Sequence, residues 1–242
     1  MKSAVFFLTV RPSKELIDFA IELNTTDLAV YISIDDSTYD AKHIPVRTIQ
    51  YSSEECLQAG FNKCVNRHIT QNIIRPSAWD KALYHVCVKE TFYDFVYFLE
   101  DDVFVSSKDI FHTLDNQYTA DLLCATHNPY KSNDGWKHWP KKNQIEEPWF
   151  NSMVCACRLS KKLLSKILEY AEKNKTLCFH EYFFCTLAAK NNLEIINPEE
   201  FQNITWRNNF SLSNMQLGKF YHPLKKQELH PLYREQIINR NK

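Results

Sequence analysis

Glycine is nearly missing from this sequence: there are three in 242 residues, Gly60, Gly135 and Gly218, each far from the others. A phosphate-cradling Walker loop and a dinucleotide fingerprint both need clustered glycines at a strand-to-helix turn, so neither can be assembled here. An excess of charge is missing too. Lys plus Arg and Asp plus Glu number 29 each, which argues against a nucleic-acid backbone or an anionic membrane surface as the main partner. Any anion site must be local. Long apolar runs are also lacking. The stretch at residues 4–8 is too short to span a membrane and has no small-residue cleavage site, so it reads as a first strand, and the expectation is a chain with no transmembrane segment.

The eight cysteines do not form a small-domain disulfide framework in a chain of this length. Cys87, Cys124, Cys155, Cys178 and Cys185 lie in apolar surroundings and are expected to be reduced core thiols. The spacing of Cys155-Ala156-Cys157 suits neither a zinc knuckle nor a redox pair.

What is present has the pattern of an α/β domain. Strand-like runs at 4–10, 28–34, 46–51 and 94–105 alternate with helix-like runs at 13–23, 53–68 and 77–91, with Ser13 and Ser77 as helix caps. A helix at 107–117 and a strand at 122–126 follow. Residues 127–149, rich in Asn, Lys, Pro and Trp, read as a long surface loop. A strand at 153–159, helices at 161–174 and 180–190 and a short strand at 193–197 come next, and beyond Pro198 the chain reads as irregular. The implied fold is a mostly parallel central sheet flanked by helices.

The most informative feature lies where the apolar run at 95–99 ends in Glu100-Asp101-Asp102. Alternate side chains of a strand share a face, so Glu100 and Asp102 point one way and Asp101 the other. Two carboxylates on one rim can hold a hard divalent ion and leave coordination positions open for a diphosphate.

In its layout the chain resembles nucleotide-sugar-dependent glycosyltransferases of the GT-A fold. The resemblance rests on Phe98-Leu99-Glu100-Asp101-Asp102-Val103-Phe104 as the Asp-x-Asp-type motif, His180-Glu181-Tyr182-Phe183-Phe184 as the acid-bearing helix start, and Tyr221-His222-Pro223-Leu224-Lys225 as a late metal-site histidine. It implies a single GT-A-like domain, with a nucleotide-binding half at 1–105, an acceptor half at 106–225 and a tail at 226–242. The first acidic position is Glu where Asp is commoner, which leaves the division of labour between Glu100 and Asp101 open. The compact, Asn/Lys/Ile-rich chain looks like microbial or large-virus enzymes of this type, so the expected location is the cytoplasm, that of a host if the source is viral.

The resemblance also implies roles. Asp102 and His222 are the expected metal ligands, for manganese or, less favoured by a nitrogen ligand, magnesium. Glu100 or Asp101 would bind the ribose, a sugar hydroxyl or the metal through water. Thr9, Val10 and Arg11 would pass over the nucleoside of a UDP-sugar, Arg11 could pair with a phosphate, and Asp35 and Asp36 would receive the uracil N–H. Arg75, Trp79 and Lys81 open a helix under the nucleotide, and Lys225 could reach its phosphates. Glu181 is the candidate base, with His180 as the alternative base or as its orienter, and direct displacement would invert the anomeric centre. Trp136, Trp139 and Trp149 are candidate walls for a carbohydrate acceptor or the donor sugar. A nucleotide-sugar or glycan-binding scaffold without turnover and a sugar-phosphate nucleotidyltransferase are the rival readings.

Overall fold

In the computed structural model, which describes residues 2–65, 69–70, 73–132, 134–139 and 144–241, the apolar runs become the middle of a sheet. Strand β1 (Ser3–Thr9) is buried at every position, and helix α1 (Lys14–Leu23) follows with the Ser13 hydroxyl accepting from the Leu16 N–H as its cap. Strands β2 (Leu28–Ile34) and β3 (Arg47–Ile49) continue the sheet. Helix α2 (Ser53–Gln58) stops well short of the expected 53–68, of which residues 66–68 lie outside the described residues. Gly60 is the reason. It turns the chain at φ +84°, and an added Cβ would lie 2.4 Å from the Ala171 carbonyl oxygen, so only glycine fits there.

A two-residue hairpin of β4 (Ile69–Thr70) and β5 (Ile73–Ile74) precedes helix α3 (Ala78–Tyr84), which Ser77 and Asp80 close with a reciprocal capping box. The expected single helix to residue 91 instead widens into a π-helical turn, His85–Lys89. The expected strand at 94–105 also divides. Strand β6 (Phe95–Glu100) ends at a turn closed by the Val103 N–H on the Glu100 carbonyl, and β7 (Phe104–Val105) leaves for another sheet.

Helix α4 (Ile110–Gln117), β8 (Leu122–Leu123), the antiparallel pair β9 (Asn128–Pro129) and β10 (Phe150–Asn151), β11 (Ala156–Ser160), α5 (Lys161–Asn174), α6 (His180–Lys190) and β12 (Ile195–Ile196) make up the second half. The chain beyond Pro198 is more ordered than expected. It supplies β13 (Asn203–Ile204), β14 (Phe220–His222) and helix α7 (His230–Arg240), whose Ile237 is fully buried.

The main sheet runs β12-β8-β11-β6-β1-β2-β3, with β11 antiparallel to both of its neighbours and the other pairings parallel. This is the mostly parallel, helix-flanked sheet that the sequence implied. Ala4, Phe6 and Leu8 face one apolar cluster and Val5 and Phe7 the other, so the central strands are buried on both faces. No helix among the described residues is long and apolar enough to cross a membrane.

Because β1, β2 and β6 are parallel, their C-terminal ends meet at one edge of the sheet, with Thr9 opposite Ile34 and Leu8 opposite Glu100. The antiparallel β11 starts at that edge, where the Glu100 N–H donates to the Cys155 carbonyl at 2.8 Å. A second sheet, β13-β14-β7, attaches beside it and pairs Tyr221 with Phe104. The last strand therefore reaches the acidic turn.

Candidate functional site

The pairing of β14 with β7 brings together residues 120 positions apart. His222 Nε2 lies 3.2 Å from Asp102 Oδ1, while the Leu224 N–H donates to the Asp102 carbonyl at 2.7 Å. The other ring nitrogen is already assigned: His222 Nδ1 donates to the Thr205 carbonyl at 2.8 Å. Thr205 is in turn fixed to the His222 carbonyl through its N–H and its hydroxyl. A neutral His222 would consequently turn a free Nε2 lone pair toward Asp102, the orientation of a metal-binding imidazole held by a backbone acceptor.

Without a cation the two groups act as an ion pair. Burial works against the His222 charge, but the hydrogen bond and charge of Asp102 and the Thr205 carbonyl raise its pKa above the ordinary histidine value. Burial likewise opposes ionisation of Asp102, and the His222 contact outweighs it, with help from Lys225, so its pKa is lowered. Both shifts favour the charged pair.

Glu100 occupies the same rim. Its carboxylate accepts from Trp79 Nε1 at 3.0 Å and lies 3.8 Å from His180 Nε2, and His180 Nδ1 donates to the Cys64 carbonyl at 2.7 Å. The Trp79 ring packs against both Phe98 and His180, with centroids 5.4 and 4.8 Å away. Trp79 is thus a core residue with one polar atom on the site. Glu100, Cys155 and His222 offer ligand atoms that all lie within 4.8 Å of one another. Asp101 turns the other way and accepts from the Thr9 hydroxyl at 2.6 Å; burial raises its pKa against that hydrogen bond.

Glu181, in the first turn of α6, is 7 % exposed, and its pKa is pushed up to about 7 by burial and then by the negative charge of Glu100, with His222 opposing. A buried carboxyl whose pKa is pushed to about 7 beside another carboxylate is suited to general base work. His180 is anchored through Nδ1 on the Cys64 carbonyl, with Nε2 3.8 Å from Glu100, which fits it to orient the start of the helix.

The remaining candidates are placed differently. Arg11 and Asp36 pair with each other at 2.6 Å, and Asp36 also accepts from the Thr38 N–H and hydroxyl, which lower its pKa to about 2. Lys81 is buried, with Nζ donating to the carbonyls of Ile34 at 3.0 Å and Asp35 at 2.7 Å; it ties down the end of β2 instead of facing outward from the helix start. Val10 is 61 % exposed at the strand end, and Arg75 and Lys225 are exposed. Trp149 is buried with Nε1 on the Ile145 carbonyl, Trp139 donates to Asp134, and Trp136 stacks on Phe179 beside α6. Residues 133 and 140–143 of that loop lie outside the described residues.

Two participants had no signal as site residues. Cys155 looked like an ordinary core cysteine, and Thr205 stood in a segment without periodicity. Only the pairings of β11 and β13 bring them to the rim.

No family model and no curated protein matches the chain. Among solved structures it is similar to the galactosyltransferase LgtC in complex with donor and acceptor sugar analogs, at 12 % identity and a TM-score of 0.48, over 97 % of this chain and 96 % of that one. An active-site mutant of LgtC gives 12 % and 0.46 over the same shares. The apo form of mouse xyloside xylosyltransferase 1 gives 10 % and 0.42, over 91 % of this chain and 97 % of its own.

Proposed function

We propose that this chain is a divalent-metal-dependent glycosyltransferase of GT-A type that moves a hexose from a UDP-sugar to a glycan hydroxyl with inversion. The observation that carries the reading is the 3.2 Å approach of His222 Nε2 to Asp102 Oδ1 at the carboxyl edge of the central strands. It unites an acidic turn with an imidazole whose other nitrogen is already committed. These donors fit a divalent ion: one carboxylate and one oriented imidazole, with Glu100 within reach of the same imidazole. Manganese suits the mixed oxygen and nitrogen set better than magnesium. When bound, the ion would supply positive charge where a departing diphosphate accumulates negative charge.

The chain's own residues do the rest. Glu181 takes the proton from the acceptor hydroxyl as that oxygen attacks the anomeric carbon. The bond from this carbon to the diphosphate breaks in the same step, UDP leaves with the electron pair, and the configuration inverts. The apolar packing of α6, with Phe183 and Phe184 fully buried, excludes water from the base and keeps its pKa near neutrality. Trp79 and His180 hold Glu100 in place, and Asp101, anchored by Thr9, is positioned for a ribose or sugar hydroxyl. Lys225, whose charge acts on Asp102, would meet a phosphate. Thr9, Val10, Arg11, Asp35 and Asp36 frame the nucleoside side; Arg11 would release Asp36 to bind a phosphate.

A panel of nucleotide sugars, screened by thermal shift with and without manganese, tests the reading. A UDP-sugar is expected to raise the melting temperature only with the metal, because a ligand selective for the folded state stabilises it according to its affinity. An equal shift in Asp102→Asn would remove Asp102 from the metal site, and no shift with any donor would remove the function.

A further inference from the structure

One donor beside Asp102 and His222 is sulfur. Cys155 enters the rim just before β11, and its Sγ lies within 4.8 Å of a Glu100 carboxylate oxygen and a His222 ring nitrogen. Glu100, Cys155 and His222 are the one group of three such donors among the described residues whose ligand atoms lie this close, within 4.8 Å. An ion with bonds of roughly 2.0 to 2.3 Å spaces tetrahedral ligands roughly 3.3 to 3.8 Å apart, so modest side-chain rotation closes the trio on a metal.

The surroundings of Cys155 differ from those of the other cysteines. All eight are free and buried. Cys87 donates to the Leu164 carbonyl and Cys124 faces Cys185 at 3.9 Å, contacts that a core thiol makes as a small apolar residue with a weak donor. Cys155 alone among them has both a carboxylate oxygen and an imidazole nitrogen within 4.8 Å, those of Glu100 and His222, in a group of three metal-type donors among the described residues. With 5 % of its surface exposed, it would form the floor of the site, while Glu100 reaches in from a more open side. The outer coordination positions would then remain available to a diphosphate.

We propose that the cation site is sulfur-ligated: Cys155, His222 and Glu100, with Asp102 alongside, hold a borderline-soft divalent ion of the zinc, cobalt or cadmium class. This rests on the reading that a cation sits between the acidic turn and His222. On binding, the Cys155 S–H bond breaks, its proton passes to solvent, and the sulfur electron pair forms the metal bond. Soft thiolate selects such ions over magnesium and calcium, which oxygen donors alone would serve as well or better.

Cobalt titration of the metal-free full-length protein separates the two claims. The parent is expected to show a near-ultraviolet sulfur-to-cobalt charge-transfer band. Cys155→Ser should abolish that band and weaken cobalt and cadmium binding by about 10-fold or more, a loss at least equal to that from disturbing a ligand's support. Manganese affinity of the same variant, read by electron paramagnetic resonance, should fall by much less, and Cys155→Asp should shift the preference toward magnesium. The cadmium NMR shift of the parent reports sulfur ligation without any variant. Cobalt binding with no sulfur band and a cadmium shift typical of oxygen and nitrogen donors would overturn the thiol ligand and leave the cation reading intact. No binding of cobalt or manganese by the parent would overturn both.

Discussion

Two sites with buried charge lie against this sheet, and they are resolved in opposite ways. Around Asp115, the Ser3 hydroxyl, the Tyr97 hydroxyl and the Arg158 guanidinium all donate, at 2.6, 2.7 and 3.0 Å. Arg158 is completely buried and also donates to the carbonyls of Leu114, Tyr118 and Ala120. The two charges cancel there, and of the guanidinium nitrogens only Nε is left without a hydrogen-bond partner. At the carboxyl edge, Glu100, Asp102 and Glu181 share the imidazoles of His180 and His222, Asp101 turns to the Thr9 hydroxyl, and the nearby Lys225 is exposed. A cluster built for stability satisfies its own charge, whereas one built for a ligand is left short of cation. The acidic rim is short of cation.

The largest expected effect that sharpens this contrast is on catalysis. Glu181→Gln should lower transfer, followed as UDP release, by about 10²–10⁴-fold while donor binding by calorimetry holds. Full activity in a folded variant would rule out Glu181 as the base. On the structural side, Arg158→Ala leaves the Asp115 carboxylate buried without its cation and should cost about 3–5 kcal/mol in denaturant unfolding. Pairing Arg158→Met with Asp115→Leu should recover most of that loss, because a closed ion pair can be replaced by packing. No apolar replacement at the rim should restore metal binding.

Asp102→Asn keeps a hydrogen-bond acceptor for His222 but loses the charge. Its metal affinity by calorimetry should fall by about 10–100-fold. Acid should weaken metal binding in the parent as well, since the raised His222 pKa means that a proton competes with the ion.

Stability against pH divides the rim further. Glu181 binds its proton more tightly folded than unfolded, so its contribution is complete below the ordinary value of 4.5 and is lost as pH rises through about 7. Glu181→Gln should therefore stabilise the metal-free protein at pH 8 by on the order of 3 kcal/mol, with no such gain at pH 4. The Asp102–His222 pair runs differently. The lowered Asp102 pKa gives stability that is lost as pH falls through it, and the raised His222 pKa gives stability lost as pH rises through it. Chemical unfolding across pH reads both. The smallest effect belongs to Arg11→Ala, which breaks an exposed ion pair and should leave the melting temperature unmoved. A fall in donor affinity in that variant would bring Arg11 into the site.

Much of the fold was legible because its signals are local. The bounds of β2, α5 and α6 coincide with their apolar patterns, and Ser13 and Ser77 cap where their side chains can reach an N–H three residues on. The departures have physical causes. Gly60 stops α2 because the backbone of Ala171, distant in sequence, leaves no room for a Cβ. The strand at 94–105 breaks because the chain turns at Asp101 and Asp102 and then pairs with β14, a partner more than a hundred residues away. Helix α7 was hidden by a sparse apolar face, since His230 and Ile237 are its buried positions and Arg234 reaches under it to the Val105 carbonyl.

The sequence by itself determined the layered α/β class, the acidic end of a buried strand and the lack of a glycine phosphate loop, since alternation, run length and composition are properties of neighbouring residues. Tertiary structure alone decided that His222 meets Asp102, that Thr205 orients the ring, that Arg11 and Lys81 find internal partners, and that Cys155 reaches the rim. Each of those depends on strand pairing between distant segments, where a shift of one residue turns every side chain to the opposite face.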